Sequence, residues 1–255
     1  MRTALGDDML PEIKISTYGI AVVAGLIACI SNIVLRKNKY GYNNRVLAVC
    51  SGIILCFMAL GSKILFFLTQ LPLVLKEFSF IKTIEIFITS GFVYYGGFLG
   101  ALVGIIFAAK LLNIDTLQLM NFCAPLFAVF HAFGRIGCFM AGCCYGIPWK
   151  YGFAMIDTPD VNRFPVQLLE AFLEFFLFFL LLHIEKEEKY DLMKIYMVIY
   201  AIMRFFLEYL RGDDIRGIWV LGLSTSQLIA LCILVVWLFR TMRYIYLRKH
   251  KSINT

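Results

Sequence analysis

Long apolar stretches separated by short polar ones dominate the pattern along this chain. Seven of these stretches approach the ~20 residues that an α-helix needs to cross a hydrocarbon core. They cover approximately 16–35, 46–69, 89–110, 119–138, 165–184, 193–211 and 223–241. The runs are continuously apolar, whereas strands of a transmembrane β-barrel alternate between apolar and polar positions. The pattern therefore predicts an all-α fold, a polytopic helical bundle embedded in a membrane.

Composition strengthens this prediction. Of the 255 residues, 61% are hydrophobic, and the mean hydropathy is +0.80, whereas a soluble domain is nearer half apolar. We expect a single seven-helix transmembrane domain over residues 1–242 and a basic cytoplasmic tail over 243–255. The net charge of +7 is concentrated in short basic clusters beside the spans. We therefore expect a lipid bilayer, and no nucleic acid, as a partner.

The distribution of Lys and Arg predicts the orientation. The 36–45 loop has four Lys and Arg residues, the 185–194 segment has three lysines, and the C-terminal tail is also basic, which is typical of the cytoplasmic side. The N-terminus and the 212–222 loop carry most of their own charge as Asp and Glu. This distribution predicts that the N-terminus lies outside and the C-terminus inside. Residues 70–88 and 139–164 become outer segments with room for short interfacial helices.

Four groups of polar residues and glycines interrupt the apolar spans. Charged residues inside a span are costly and usually face a partner or a cavity, and several of these share one helix face. The groups are His131 with Arg135; Gln167, Glu170 and Glu174; Arg204, Glu208 and Arg211; and Tyr94 and Tyr95 before Gly96 and Gly97. Arginine matches phosphate oxygens, and glycine lets backbone N–H groups approach a ligand. The sequence therefore predicts an outward-facing pocket for an anionic lipid head group.

The three groups that contain charged residues also have structural explanations. Arg204 and Glu208 are spaced as an ion pair within one helix, and Arg211 is close enough to the water boundary to snorkel. The two glutamates of the fifth span can satisfy buried partners, and His131 can be a hydrogen-bonded core residue. The coincidence of several costly groups at one predicted depth favours the binding pocket.

The third span contains Gly96, Gly100 and Gly104, spaced four residues apart. Small residues at this spacing let two helix backbones approach closely inside a membrane. We therefore expect this helix to pack tightly against a neighbour.

Three cysteines, Cys138, Cys143 and Cys144, follow Arg135 closely. Their spacing is not a usual zinc spacing, and adjacent cysteines poorly suit one tetrahedral ion. A disulfide at an oxidising face is another hypothesis, as is a thiolate nucleophile whose pKa is lowered by Arg135. We interpret them first as small packing residues, second as covalent catalysts and last as metal ligands. We expect no metal or cofactor.

Together these motifs resemble the prolipoprotein diacylglyceryl transferase family, integral membrane enzymes of bacterial lipoprotein maturation. The Gly-Arg motif is the most specific, and the resemblance extends over most of the chain. The motifs are Tyr18-Gly19; Gly96-Gly97; Gly134-Arg135-Ile136-Gly137 with Phe139 and Gly146; Arg163-x-Pro165-x-Gln167-Leu168-x-Glu170; Arg204-x3-Glu208-x2-Arg211; and Gln227. The family's seven spans and outer N-terminus agree with the topology predicted from charge.

The resemblance implies an activity, partners and roles. The family transfers the diacylglyceryl group of phosphatidylglycerol to the lipobox cysteine thiol of a prolipoprotein, and glycerol phosphate leaves. A multi-pass protein of the bacterial cytoplasmic membrane is implied. Arg135 and Arg204 would hold the phosphate, Glu208 would orient the arginines, Arg211 would help to gate the lipid, and Tyr18 would line its site. The other implied substrate-binding residues are Gly96, Gly97, Gly134, Gly137, Cys138, Cys143, Gly146, Gln167 and Glu170.

The chain departs from the family pattern around the reacting groups. Tyr95 stands where the family usually has histidine, and Cys138, Ala141 and Cys143 replace Asn, Asn and Glu. Tyr95 would be a poor base unless its pKa fell far below ~10, so His131 or a cysteine are further candidates. Three alternatives stay open: a transferase with another surface acceptor, an anionic-lipid transporter or flippase, and an inactive lipid-binding protein.

Overall fold

The computed structural model describes residues 17–76, 94–155, 158–187, 189–213 and 222–253. Seven α-helices lie in these segments, and each overlaps one predicted apolar stretch. They are α1 (Thr17–Arg36), α2 (Asn44–Lys76), α3 (Tyr94–Leu111), α4 (Thr116–Met140), α5 (Val166–Ile184), α6 (Leu192–Leu207) and α7 (Thr225–Ile253). Short 3-10 turns, Glu185–Glu187 and Glu208–Leu210, follow α5 and α6. The fold is mostly helical, as predicted.

Several helices are able to cross a membrane. Four segments are long and apolar enough: Thr17–Arg36, Asn44–Leu68, Thr116–Met140 and Val166–Glu187. Tyr95–Leu111 and Thr225–Arg240 are apolar but shorter. The count of seven spans and the orientation of the termini stay predictions. Residues 1–16, 77–93 and 214–221, on which part of that topology depends, lie outside the described residues.

The chain divides into two compact units. The first comprises Met1–Ile30, Leu126–His183 and Lys194–Thr255, and the second comprises Ser31–Pro125 and Ile184–Met193. The first therefore contains most of α4 and α5 together with α6 and α7, and the second contains α2 and α3. The expectation of one transmembrane domain over residues 1–242 stays a prediction.

A β-hairpin occupies much of the predicted outer segment 139–164. Strand β1 (Pro148–Met155) pairs antiparallel with β2 (Thr158–Arg163). The short interfacial helices expected there are replaced by strands. Trp149, Tyr151 and Phe153 alternate along β1 and are all exposed, and alternating aromatic residues favour a strand over a helix. This period-two pattern was the available signal for the hairpin.

In the second unit, α2 and α3 pack through glycines. A Cβ added to Gly96 would overlap the backbone carbonyl of Gly61, and one added to Gly100 would overlap that of Phe57. A Cβ at Gly104 would lie 2.9 Å from the Cβ of Phe57. The close helix approach predicted from the glycine spacing is confirmed.

The second unit also contains a buried ion pair between Arg36 and Glu185. Arg36 Nε lies 3.1 and 3.0 Å from the two carboxylate oxygens, and Nη2 also donates to this carboxylate. Arg36 Nη1 donates to Asn32 Oδ1 at 2.9 Å and to the carbonyl of Phe122 at 2.8 Å. The Tyr40 hydroxyl donates to Glu185 at 2.6 Å. Arg36 is therefore a buried, hydrogen-bonded residue, although the sequence placed it in a basic surface cluster.

Candidate active site

A cluster of ionisable side chains lies inside the first unit. Helix α4 contributes a histidine and an arginine, α5 contributes carboxylates and an amide, α6 contributes an arginine, and the 3-10 turn after α6 contributes a carboxylate. The members are His131, Arg135, Gln167, Glu170, Glu174, Arg204 and Glu208, and none is more than 9% exposed. Burial of charge is costly unless the charges are paired, so the pairing within the cluster determines what it can do.

Glu170 links the two arginines that the motifs singled out. Its Oε2 atom lies 2.9 Å from Arg135 Nε and 3.5 Å from Arg204 Nη1. Arg204 Nη2 lies 2.8 Å from Glu208 Oε2, the i,i+4 pair expected from spacing. Two guanidinium groups from different helices therefore lie side by side on one carboxylate oxygen.

Arg135 has hydrogen-bonding capacity that its neighbours leave unused. Its Nη2 atom is buried and has no hydrogen-bond partner within the described residues, and the same holds for Gln167 Oε1. Among the described residues, Nη1 makes only a long contact, 3.9 Å, to Cys138 Sγ. Buried donors normally have partners because an unmade hydrogen bond costs about 1–3 kcal/mol. The arrangement suits a site that binds an anion.

His131 lies against both carboxylates of α5. Its Nδ1 atom is 3.0 Å from Glu174 Oε1, and its Nε2 atom is 3.7 Å from Glu170 Oε1. The Tyr200 ring packs edge-on against the imidazole, with centroids 5.3 Å apart. Glu170 and Glu174 thus contact buried partners, as the structural explanation of these two residues expected. A histidine oriented by a carboxylate is, in addition, the usual arrangement of a catalytic base.

The turn after α4 brings the three cysteines together. Their Sγ atoms all lie within 4.8 Å of one another, and each residue is half-buried. The pKa of Cys144 is below the usual thiol value because the Cys138 and Cys143 thiols donate hydrogen bonds to it and because Arg135 and Arg211 add positive charge. The three cysteines are thus one cluster, which their sequence separation did not establish.

Gly146 and Arg211 are held together by the backbone. They form an isolated β-bridge, and the amide of Ile147 donates to the carbonyl of Leu210 at 2.9 Å. A Cβ at Gly146 would lie 2.8 Å from that carbonyl oxygen, so this position requires glycine. Arg211 Nε donates to Asp213 Oδ1 at 2.9 Å. Asp213 is a partner that the sequence analysis missed, although it follows Arg211 by two residues.

Tyr18, Gly137 and Gln167 have identifiable contacts. A Cβ at Gly137 would lie 2.9 Å from Tyr18 Cδ2, so glycine lets the partly exposed Tyr18 ring pack on α4. Gln167 Nε2 donates to the carbonyl of Cys143 at 2.7 Å, which fixes the cysteine turn to α5. At Gly134 a Cβ would meet no atom of the described structure within 4 Å. Space therefore does not require glycine at Gly134.

Gln227 and its neighbours start α7 and support Arg204. The amide of Gln227 donates to Ser224 Oγ at 3.2 Å, and Gln227 Oε1 accepts from the amide of Ser224 at 3.0 Å. This is a capping box, and its S-x-x-Q signature is present in the sequence. Ser226 Oγ accepts from Arg204 Nη2 at 3.2 Å. Ser226 is thus a residue around the cluster that the sequence analysis missed.

Tyr95, Gly96 and Gly97 lie at the start of α3 and belong to the second unit. Gly96 packs on the backbone of Gly61, so helix packing accounts for its glycine. A Cβ at Gly97 would make only an ordinary contact, 3.4 Å, with Met58 Cγ. The substrate-binding and catalytic roles predicted for these three residues stay predictions.

Comparison with known proteins settles the family. A sequence model described as prolipoprotein diacylglyceryl transferase matches residues 8–243. The chain belongs to this family. The resemblance inferred from the motifs is therefore confirmed, and the protein is a membrane enzyme of a bacterial transferase family.

Individual relatives of this transferase cover nearly its whole length. A phosphatidylglycerol–prolipoprotein diacylglyceryl transferase of Clostridium tetani is 32% identical, over 89% of this chain and 92% of its own length. One of Clostridium perfringens, numbered 2 in its name, is 34% identical over 92% of each chain. One of Campylobacter hominis is 28% identical over 88% of this chain and 85% of its own. The similarity thus includes every helix of the cluster.

Proposed function

We propose that this transferase moves the diacylglyceryl group of phosphatidylglycerol to the lipobox cysteine thiol of a prolipoprotein. The observation that carries the proposal is the convergence of Arg135 and Arg204 on one oxygen of Glu170, at 2.9 and 3.5 Å. Two guanidinium groups held side by side match the oxygens of a phosphodiester. The names of the relatives support the same donor and acceptor.

The chemistry is a displacement at the glycerol carbon next to the phosphate. The acceptor sulfur forms a bond to that carbon, and the bond from the carbon to the phosphate oxygen breaks. The electron pair leaves with glycerol phosphate, whose phosphate gains negative charge. Arg135 and Arg204 stabilise this charge in a buried, water-poor site, where preorganised donors are most effective.

The carboxylates position the arginines. Glu170 holds both guanidinium groups, and Glu208 restrains Arg204 from the other side at 2.8 Å. Fixing these long side chains before the lipid binds removes the ordering cost from the binding step. Arg135 Nη2, which is buried without a hydrogen-bond partner among the described residues, is the donor we assign to the phosphate.

His131 is the base that we assign to the acceptor thiol. In the tautomer with the proton on Nδ1, this nitrogen donates to Glu174 Oε1 at 3.0 Å, and the lone pair of Nε2 takes the thiol proton. The imidazole becomes positively charged, and the neighbouring carboxylates compensate this charge. Tyr95 stays the second candidate for this role.

The remaining predicted residues shape the lipid and acceptor sites. Tyr18, Gly134 and Gly137 would line the lipid site, Arg211 would contribute to its gate, and Gly96 and Gly97 would approach the substrate through their backbone. The cysteine turn, with Cys138, Cys143, Gly146 and Gln167, would form the acceptor side. We further propose seven spans with the N-terminus outside, in the bacterial cytoplasmic membrane, and a site that opens outward.

Reconstituted protein provides the test. Vesicles containing phosphatidylglycerol and a lipobox peptide should yield lipidated peptide and free glycerol phosphate in equal amounts. Arg135→Ala should abolish both products in protein that still folds in detergent, as a thermal unfolding transition shows, and Arg45→Ala, at an exposed position, should keep both. Movement of intact labelled lipid without cleavage would indicate a flippase instead. Lipid binding without either product would indicate an inactive binding protein.

A further inference from the structure

The cysteine cluster is assembled by the way α4 ends. The helix stops at Met140, and Gly142 takes a left-handed conformation with φ of +73°. The amide of Cys143 then bonds to the carbonyl of Cys138 at 3.1 Å, and the amide of Gly142 to that of Phe139 at 3.1 Å. This is a Schellman cap, which characteristically places the side chains of its first and last residues in contact. Those two residues are Cys138 and Cys143.

Cys144 joins the pair through an unusual backbone conformation. Its φ of +58° lies in the left-handed region, which non-glycine residues rarely adopt and which costs free energy. The conformation turns the third thiol toward the first two, so that all three Sγ atoms lie within 4.8 Å of one another. In the sequence, the adjacency of Cys143 and Cys144 argued against a metal site. The left-handed conformation of Cys144 removes this objection, because it lets both thiols face the same point.

The sulfur positions are close to those of a metal site. Three thiolates around a tetrahedral zinc ion, with Zn–S near 2.3 Å, have sulfur atoms about 3.8 Å apart. Each pair in the cluster therefore needs to close by at most about 1 Å, which small side-chain rotations provide. The turn itself is anchored, since Gln167 donates to the carbonyl of Cys143 at 2.7 Å. Such anchoring preorganises a ligand set.

Charge also favours a cation bound by thiolates. Three thiolates and one divalent cation carry a net charge of −1, which is costly in a half-buried site unless positive charge lies nearby. Arg135 Nη1 lies 3.9 Å from Cys138 Sγ. The arginine that we assign to the phosphate thus also borders the thiol cluster, so it lies between the proposed phosphate site and the proposed metal site.

We propose that Cys138, Cys143 and Cys144 bind one thiophilic divalent cation and leave its fourth coordination position to the acceptor thiol. Among the described residues, these three cysteines are the one group of His, Cys, Asp or Glu side chains whose ligand atoms lie close enough together to hold a metal ion. Structural zinc sites are closed by four protein ligands, whereas catalytic sites keep one position open. Each of the three cysteines is half-buried, so the cluster is not sealed from an incoming sulfur. The assignment of the open position rests on the proposed function.

The step balances without an oxidant or reductant. The acceptor S–H loses its proton when the sulfur binds the cation, because metal coordination deprotonates a thiol. The proton passes to His131 or to water. The sulfur then forms the bond to the glycerol carbon, and the electron pair of the broken carbon–oxygen bond leaves with glycerol phosphate.

Metal binding is tested on the full chain in detergent, reduced and freed of metal. Titration with Zn2+ against a chromophoric chelator should show about one tightly bound ion, as expected for a single thiolate site. Replacement of all three cysteines by serine should weaken binding by more than about 100-fold, because the thiolate ligands are lost. Cys56→Ser and Cys232→Ser, at exposed positions, should leave it unchanged. Equal affinity in the triple variant would overturn the proposal, as would a disulfide cluster that takes up no Zn2+ after reduction.

The open position is tested with Co2+ in place of Zn2+. A cysteine-containing lipobox peptide should change the thiolate-to-cobalt absorption, and the matching serine peptide should not. No difference between the two peptides would overturn the assignment of the fourth position.

If the cation binds but no lipidated peptide forms in vesicles, the proposed function fails and the metal site stands. If peptide is lipidated at the full rate by the triple serine variant, the metal inference fails and the proposed function stands. Single Cys144→Ser provides the same comparison if the triple variant does not fold.

Discussion

Two buried arginines, one in each unit, illustrate different uses of the same side chain. Arg36 is 7% exposed, and its Nε, Nη1 and Nη2 atoms all donate to protein oxygens, namely those of Glu185, Asn32 and Phe122. Arg135 is equally buried at 7%, but its Nη2 has no hydrogen-bond partner among the described residues. The two arginines are thus equally buried, and they differ in how many of their N–H donors already have a protein partner.

The difference indicates how a structural arginine is distinguished from a binding one. A charge that is fully hydrogen-bonded fixes the fold and has little left to offer a ligand. A charge that shares its carboxylate with a second arginine, as Arg135 does with Arg204, keeps donors for an anion.

The largest effect is expected for Arg135→Lys. Lysine keeps the positive charge but loses the planar fork that matches phosphate oxygens. Loss of such donors in a buried site typically costs about 10²–10³-fold in rate, so we expect a decrease in kcat/KM of about 10³-fold with an unchanged unfolding temperature. Lipidation of a lipobox peptide measures the rate, and Arg45→Lys is the exposed control. A normal kcat/KM in this variant would show that Arg135 does not bind the phosphate.

Arg36→Met should instead affect stability. It leaves Glu185 buried without its main partner, and breaking a buried ion pair costs about 3 kcal/mol. We therefore expect a free energy of unfolding in detergent that is lower by about this amount, while kcat per folded molecule stays close to the wild-type value. The double variant Arg36→Met/Glu185→Leu should recover most of the stability, because no charge is left unpaired. A double variant as unstable as the single one would contradict this account.

Sequence patterns predicted the helices and the shared faces well. The apolar runs located all seven described helices, and the i,i+4 and i,i+7 spacings correctly placed Arg204 and Glu208 together and put Glu170 and Glu174 on one face. Glycine spacing correctly predicted the close packing of α3. These features depend on local periodicity, which is present in any single segment of sequence.

Contacts between distant segments were not predictable in this way. The Arg36–Glu185 pair joins residues 149 positions apart, and nothing in either segment indicates its partner. The cysteine cluster depends on a left-handed Cys144, a conformation that tertiary structure imposes on a residue with no preference for it. The hairpin at β1 did carry a signal, the alternating aromatic residues, but the expectation of a helical protein took precedence over it.

Glu174→Gln tests whether His131 acts as more than a packed side chain. The amide presents a donor as well as an acceptor to Nδ1, which permits the wrong imidazole tautomer. We expect kcat/KM to fall by about 10²-fold, within the range of general acid–base catalysis, and its pH dependence to shift. The pH profile of peptide lipidation is the measurement, because a purely structural defect would lower the rate equally at all pH values. An unshifted profile would leave Tyr95 as the candidate base.

Tyr40→Phe and Tyr42→Phe provide the finest test, because the two rings stack 5.8 Å apart in the second unit. The Tyr40 hydroxyl donates to Glu185 at 2.6 Å, whereas that of Tyr42 is buried with no hydrogen-bond partner in the described part of the chain. A hydrogen bond to a charged group contributes about 1.5 kcal/mol, and removal of an unpaired buried hydroxyl is neutral or stabilising. Tyr40→Phe should therefore lower the free energy of unfolding, Tyr42→Phe should not, and neither should change lipidation. If both variants lost the same free energy of unfolding, ring packing, and not the hydrogen bond from Tyr40 to Glu185, would be what stabilises this unit.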